Sequence, residues 1–219
     1  MKKRWFMIAA IIGIVLIGLV AVGPIMSDVE TPNYEIVTAE NNIEVRQYKP
    51  MIIAEVQMNG RREDAIGDGF RLLADYIFGN NIAQKDIAMT APVQQQESTK
   101  IAMTAPVQQQ STGEDWQISF VMPSEYTMET LPKPVNERVT IKEIRAKTFA
   151  VITFSGTNSD KNVKDHENQL MKYVGTNELS VIGTPKYAFY NPPWTLPPMR
   201  RNEVMIEIQT QSRSVSNES

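Results

Sequence analysis

Ile87-Ala88-Met89-Thr90-Ala91-Pro92-Val93-Gln94-Gln95-Gln96 is written twice. The same ten residues return from Ile101 to Gln110, after the short link Glu97-Ser98-Thr99-Lys100. Read with period two, each copy places Ile, Met, Ala and Val on one face: Ile87, Met89, Ala91 and Val93, then Ile101, Met103, Ala105 and Val107. The opposite face carries Ala, Thr, Pro and Gln. That is the pattern of a half-buried strand, and the polar link suits a hairpin loop. Pro92 and Pro106 have no N–H to give to a ladder, so each marks an edge, a bulge or a strand exit. On this reading Met89 and Met103 point inward. The repeat is either a duplication that lengthens a hairpin or a face turned towards a ligand.

Outward from the repeat, short apolar strands and two helices alternate. Tyr34 to Val37 and Ile43 to Tyr48 read as strands joined through Asn41-Asn42, a good turn pair. Met51 to Met58 is a third strand, stopped by Asn59-Gly60. Glu63 to Phe78 reads as a helix, because Ile66, Phe70, Leu73 and Ile77 fall at i, i+4, i+7 and i+11. Leu72 and Tyr76 flank that stripe. Gly67 and Gly69 each cost this helix up to ~1 kcal/mol against Ala, which close approach to a sheet or a flat ligand would offset. After the repeat come strands at Trp116–Met122, Arg138–Ile144 and Thr148–Phe154, with a Pro-containing connection from Pro123 to Pro134. A second helix over Lys161–Val174 has Val163, Leu170, Tyr173 and Val174 as its apolar stripe. A short strand at Tyr187–Tyr190, a Pro-rich loop from Asn191 to Pro198 and a last strand at Glu203–Ile208 follow.

The order of two strands, a helix and two strands occurs from Ile43 to Met122 and again from Arg138 to Ile208. The expected fold is therefore α+β: a distorted antiparallel β-barrel of two pseudo-repeated halves, with two helices packed on it. Its bounds are residues 34–209, behind a linker at 27–33 and ahead of a polar tail at 210–219 expected to be disordered.

Residues 1–26 are of another kind. Lys2, Lys3 and Arg4 precede an uncharged apolar run from Trp5 to Gly23, long enough to cross most of a ~30 Å hydrocarbon core. A cleaved signal has a shorter apolar region, and Pro24 directly follows the candidate site Ala21-Val22-Gly23. The expectation is a single N-terminal pass in the inner membrane through residues 5–23, with the globular domain on the periplasmic or outer side by the positive-inside rule. Cleavage to a secreted or periplasmic form is the competing reading.

The formal net charge is −3, so no basic field suits nucleic acid. The chain has no cysteine, which removes disulfides, thiolate metal sites and cysteine nucleophiles. His166 is its one histidine. No Gly-x-Ser-x-Gly, His-Glu-x-x-His or phosphate-loop pattern occurs, so the common hydrolase and metalloenzyme signatures are missing. His166 shares a helix face with Val163 and Leu170. It is a candidate iron ligand, weighed against an ordinary half-exposed histidine. Arg200 and Arg201, at a strand entrance, form a candidate clamp for carboxylates or else a pair with Glu203 or surface acids; Arg61 and Arg62 ahead of the first helix and Arg71 within it could meet an anionic ligand or solvate a face. A planar macrocycle with two carboxylates would need an apolar wall and a cationic rim. Phe70, Leu73 and Ile77, or the flanking Leu72 and Tyr76, could supply the wall.

Seven pieces occur in one order: Tyr34-Glu35-Ile36 with Ile43-Glu44-Val45-Arg46-Gln47-Tyr48; Gly69 to Asn80; the doubled Met-Thr-Ala-Pro-Val at Met89 and Met103; Phe120-Val121-Met122-Pro123; Phe154-Ser155-Gly156; Tyr190-Asn191-Pro192-Pro193; and Arg200-Arg201-Asn202-Glu203-Val204. Together they resemble the SOUL haem-binding protein family, over about Pro32 to Ile208. The resemblance implies a barrel of two similar halves and non-covalent binding of haem or another tetrapyrrole in an apolar cleft, for carriage, buffering or sensing. It carries over no catalytic residue and aligns no ligating histidine onto His166. The same barrel resembles effector-binding domains for other small hydrophobic molecules, which is the alternative function. An enzyme acting on a tetrapyrrole or small ligand is a third reading.

Overall fold

The computed structural model describes residues 29–83 and 98–209. The candidate anchor, the first copy of the repeat with Met89, and the polar tail lie outside the described residues. The strands are β1 (Tyr34–Glu40), β2 (Ile43–Tyr48), β3 (Met51–Asn59), β4 (Asn81–Ile82), β5 (Val107–Ser111), β6 (Asp115–Val121), β7 (Lys133–Pro134), β8 (Thr140–Ile144), β9 (Lys147–Phe154), β10 (Val181–Phe189) and β11 (Asn202–Ile208). The helices are α1 (Arg62–Ile77) and α2 (Asp160–Thr176).

Nine strands form one sheet in the order β1-β2-β9-β11-β10-β5-β6-β3-β8, and β4 pairs with β7 in a small second sheet. Every pairing is antiparallel. The register carries one face across the whole sheet: Val45 opposes Ala150, Ala150 opposes Ile206, Val204 opposes Tyr187, Tyr187 opposes Gln109, Gln109 opposes Ile118, and Ile118 opposes Val56. Both helices cover this face. α1 buries Leu73, Tyr76 and Ile77 against Val56, Ile118 and Phe120, and α2 buries Val163, Leu170 and Val174 against Ala150, Ile152 and Ile206. Among the described residues no helix covers the other face. There Tyr48, Phe149, Val151, Ala188 and Met205 form a third apolar cluster. Residues of β2 and β9 line one cleft with residues of β3 and β8 from the far end of the sheet. The sheet therefore curls towards its helix-free side into a half-barrel, with β1 and β8 as open edges. The fold is the expected α+β class; the likeness of the two halves remains a matter of element order.

Three expectations are corrected. The strand expected over Ile101–Val107 begins only at Val107. Pro106 has no N–H, and the residues before it are held by other partners: Ile101 N–H donates to the Ile77 carbonyl, Ala105 N–H to that of Glu30, and the Thr104 hydroxyl to that of Val121. Ile101 and Ala105 are buried, but Met103 is 45% exposed, not inward-facing. Met103→Asp should accordingly change stability by no more than about 0.5 kcal/mol in a urea titration.

The second correction is the rotation of α1. Its buried face is Ala65, Gly69, Leu73, Tyr76 and Ile77, and Phe70 is displaced to the margin at 37% exposure, edge-on to Phe120 with ring centres 5.4 Å apart. The cause is Gly69. A Cβ there would sit 3.0 Å from Ile118 Cγ1, whereas Gly67 has nothing within 4 Å. The helix thus lays its small edge on β6. Gly69→Ala should destabilise by about 1–3 kcal/mol through overpacking, and Gly67→Ala should stabilise by up to about 1 kcal/mol through helix propensity. Thermal melts of the pair check the opposite signs.

The third is β10, expected only at Tyr187–Tyr190. It runs from Val181 across an irregularity between Ile182 and Lys186 that contains Gly183 and Pro185. Side chains stand in for the ladder there: Gln110 Nε2 donates to the Thr184 carbonyl, and the Thr184 hydroxyl donates to that of Ser111.

Candidate functional site

Adjacent residues of β10 face opposite sides of the sheet. Tyr187 faces the helices and Lys186 the cleft, so each side has its own arrangement.

On the helix side, Arg62, Trp116, Asp160, Val163, Lys164, Glu167 and Tyr187 line a groove of about 290 Å³ between the N-terminal ends of α1 and α2. Ser159 caps α2 by accepting the Asn162 N–H, which fixes Asp160 beside α1. Arg62, its side chain 10% exposed, bridges the two helices. Its Nε donates to Asp160 Oδ1 at 2.8 Å, Nη1 to Gln109 Oε1 at 3.2 Å and Nη2 to the Asn158 carbonyl at 2.7 Å. The guanidinium also lies 5.9 Å from the Tyr187 ring centre. The Trp116 and Tyr187 rings are 6.4 Å apart and 36° from parallel. The Tyr187 hydroxyl donates to Glu167 Oε2 at 2.8 Å, and Lys164 Nζ to Glu167 Oε1 at 2.6 Å. Burial, and then Glu167, push the Tyr187 phenol above its ordinary value, so it stays a hydrogen-bond donor to Glu167. The groove offers two aromatic rings and two cations. Arg62 keeps unused N–H donors, and its carboxylate partner Asp160 is largely exposed.

Of the sequence candidates, only Arg62 reaches this groove. Arg61 pairs with Asp64 and Arg71 with Asp68, both at the surface. Leu73, Tyr76 and Ile77 are fully buried in the core, with the Tyr76 hydroxyl donating to the Pro132 carbonyl at 2.7 Å; Leu72 packs at the core's margin. Arg200 braces the Pro-rich loop, donating from Nε to the Thr195 carbonyl at 2.7 Å and from Nη2 to that of Pro193. His166 is half-buried and stacked on Phe154 at 4.0 Å and 11°. Its Nδ1 is 2.8 Å from the Asn162 carbonyl. A carbonyl only accepts, so Nδ1 carries a proton and Nε2 is the ring nitrogen left for another partner. Among the described residues no three His, Asp or Glu side chains cluster to hold a metal.

On the helix-free side lies a charged centre of which the sequence suggested one contact, the pairing of Arg201 with Glu203. Glu203 is fully buried. Its Oε1 accepts from Arg46 Nη1 at 2.9 Å and Arg201 Nη2 at 2.7 Å, and its Oε2 from the Tyr190 hydroxyl at 2.7 Å. Arg201 also stacks on the Tyr190 ring at 4.1 Å. Burial, and then Glu203, hold the Tyr190 and Tyr48 phenols well above their ordinary values. Arg201 is therefore half of an internal pair, with Arg46 as the unexpected third member.

With fold and sites in view, the comparisons place the chain. Its architecture is similar to that of the EcmrR C-terminal domain, with a TM-score of 0.57 and 10% identity over 81% of this chain and 98% of that one. A hydrolase from Listeria innocua matches with a TM-score of 0.51 and 12% identity, over 79% of this chain and 94% of that one. At such identities the likeness concerns the fold alone. The family model described as SOUL heme-binding protein matches residues 29–207, and the chain belongs to that family. No curated protein matches it.

Proposed function

We propose that this protein binds haem or a related tetrapyrrole non-covalently, for carriage, buffering or sensing, in the groove between α1 and α2. Membership of the SOUL family is the observation that carries this reading. The groove's chemistry fits the group. Trp116, Tyr187 and Val163 offer the apolar and aromatic contact that supplies most of the affinity, and Arg62 and Lys164 are placed to take propionates in exchange for Asp160 and Glu167. His166 does not line this groove and is stacked on Phe154, so it is assigned no axial-ligand role there. Haem bound there would supply a porphyrin absorption that reports on its surroundings.

Haemin titrated into the purified protein, with porphyrin and bile-pigment controls, should give a saturable Soret shift. Arg62→Ala should weaken binding by about 1–3 kcal/mol, the size of a charge-assisted hydrogen bond. Arg61→Ala and Arg71→Ala should leave it unchanged. His166→Ala should leave both the affinity and the visible spectrum unchanged, because the ring lies outside the groove. The absence of any saturable shift would sink the proposal.

We further propose that the run from Trp5 to Gly23 holds this domain at the inner membrane with residues 34–209 on the periplasmic or outer side. The full-length protein should then fractionate with membranes and keep its N-terminus. A soluble mature chain beginning near Pro24 or Ser27 would overturn that placement.

A further inference from the structure

The helix-free cleft has a floor of Ile53, Phe149 and Met205 and a margin of Tyr48, Met51, Gln108, Ile144, Arg145, Lys147 and Lys186. Its charges do not cancel. Lys147 pairs with Glu207 at 2.7 Å, Lys142 with Glu55, and Arg46 and Arg201 with Glu203, Arg46 also with Glu44 at 2.6 Å. Every carboxylate on this face is thereby engaged, and Arg145 and Lys186 remain. Neither makes an ion pair or side-chain hydrogen bond among the described residues. Lys186 lies over the Phe149 ring, its Nζ 5.6 Å from the ring centre. Burial, and then Lys147, lower its pKa, with Glu207 and Glu55 opposing. Lys186 is half-buried, and the nearby Glu55 and Glu207 are already paired with Lys142 and Lys147, so its ammonium over the Phe149 ring is only partly compensated. Such groups mark sites where function is retained against stability.

We propose that this cleft is a second binding site, separate from the groove between the helices, for an amphipathic monocarboxylate. Its carboxylate is held by Lys186 with Arg145, and its apolar body lies on Ile53, Phe149 and Met205. The sign of the charge sets the class: two surplus cations repel a lipophilic cation, and a neutral alcohol leaves Lys186 uncompensated. The floor sets the rest, because a bare anion gains nothing from Ile53 or Met205. The space free in the cleft is about 20 Å³, enough for one water. The ligand therefore enters by displacing the long, flexible side chains of the margin, Met51, Lys147 and Lys186, which are suited to moving.

The test is calorimetric titration of the full-length protein with decanoate, acetate, decanol and decyltrimethylammonium, alongside Lys186→Met and Lys186→Gln. Decanoate should bind saturably and raise the melting temperature; the other three should not bind saturably. Both variants should weaken decanoate at least tenfold and melt no lower than the parent, because each removes a cation that burial disfavours. Undiminished decanoate binding in the variants, saturable binding of the cation, or variants less stable than the parent would overturn the assignment. Haemin that displaces decanoate would place both ligands in one cleft and overturn the separateness of the sites. A protein that binds decanoate but not haemin would keep this inference and remove the tetrapyrrole reading.

Discussion

Glu203→Ala is expected to be among the most damaging single substitutions in this protein, lowering stability by about 3–5 kcal/mol. The carboxylate is fully buried, and Arg46, its side chain only 3% exposed, donates to it alongside Arg201 and the Tyr190 hydroxyl. Removing the acceptor leaves a buried guanidinium with only its bond to Glu44 as ionic compensation, and that penalty far exceeds the net worth of an intact pair. At ~2–4 °C per kcal/mol for a domain of this size, the melting temperature should fall by roughly 10 °C. Glu203→Gln keeps the shape and one acceptor oxygen, so it should lose less. Urea unfolding curves of the two variants measure the difference. A loss below 1 kcal/mol in Glu203→Ala would show that the cluster relaxes by admitting water.

Leu73→Ala should cost about 2–5 kcal/mol, the range for a leucine deleted from a close-packed core. Leu73 is wholly buried between α1 and the sheet, in a cluster with Val56, Ile118 and Leu131. Leu73 itself does not line the groove between the helices, which meets this cluster only through Trp116, so the variant's folded fraction should bind haemin nearly as the parent does. Weakened binding at preserved secondary structure would return the interior face of α1 to the ligand site.

Much of the architecture was legible in the sequence because apolar periodicity reports burial directly. β2, β3, β9, β11 and both helices lie close to where their patterns put them. What periodicity does not report is which edge of an apolar stripe meets the sheet. In α1 that was decided by Gly69 against Ile118, which turned Phe70 outward. Nor does it report strands whose ladder is replaced by side-chain bonds, as at Thr184 in β10. The candidate sites were less legible for a different reason. Arg46, Glu55, Lys147, Lys186, Glu203 and Glu207 alternate with apolar residues in five strands and read singly as solvent-facing positions. Only the curl of the sheet gathers them onto one concave surface. Arg62 was found because a basic residue at a helix start is visible as such; its partners Asp160, Gln109 and Asn158 are far from it in sequence.

The strand order also sets the terms on which this chain can fold. β2 sits beside β9, pairing Val45 with Ala150, and β3 sits beside β8, pairing Met51 with Ile144. Each contact closes a loop of roughly a hundred residues, an entropic outlay that comes before the contact returns anything. The segment through β6 has no partner for β2 other than the edge strand β1 until β9 has been made. Folding of this domain is therefore expected on the slow, millisecond-to-second side of single-domain rates. During that interval the apolar runs of β3 and β9 lie open to pairing with another chain.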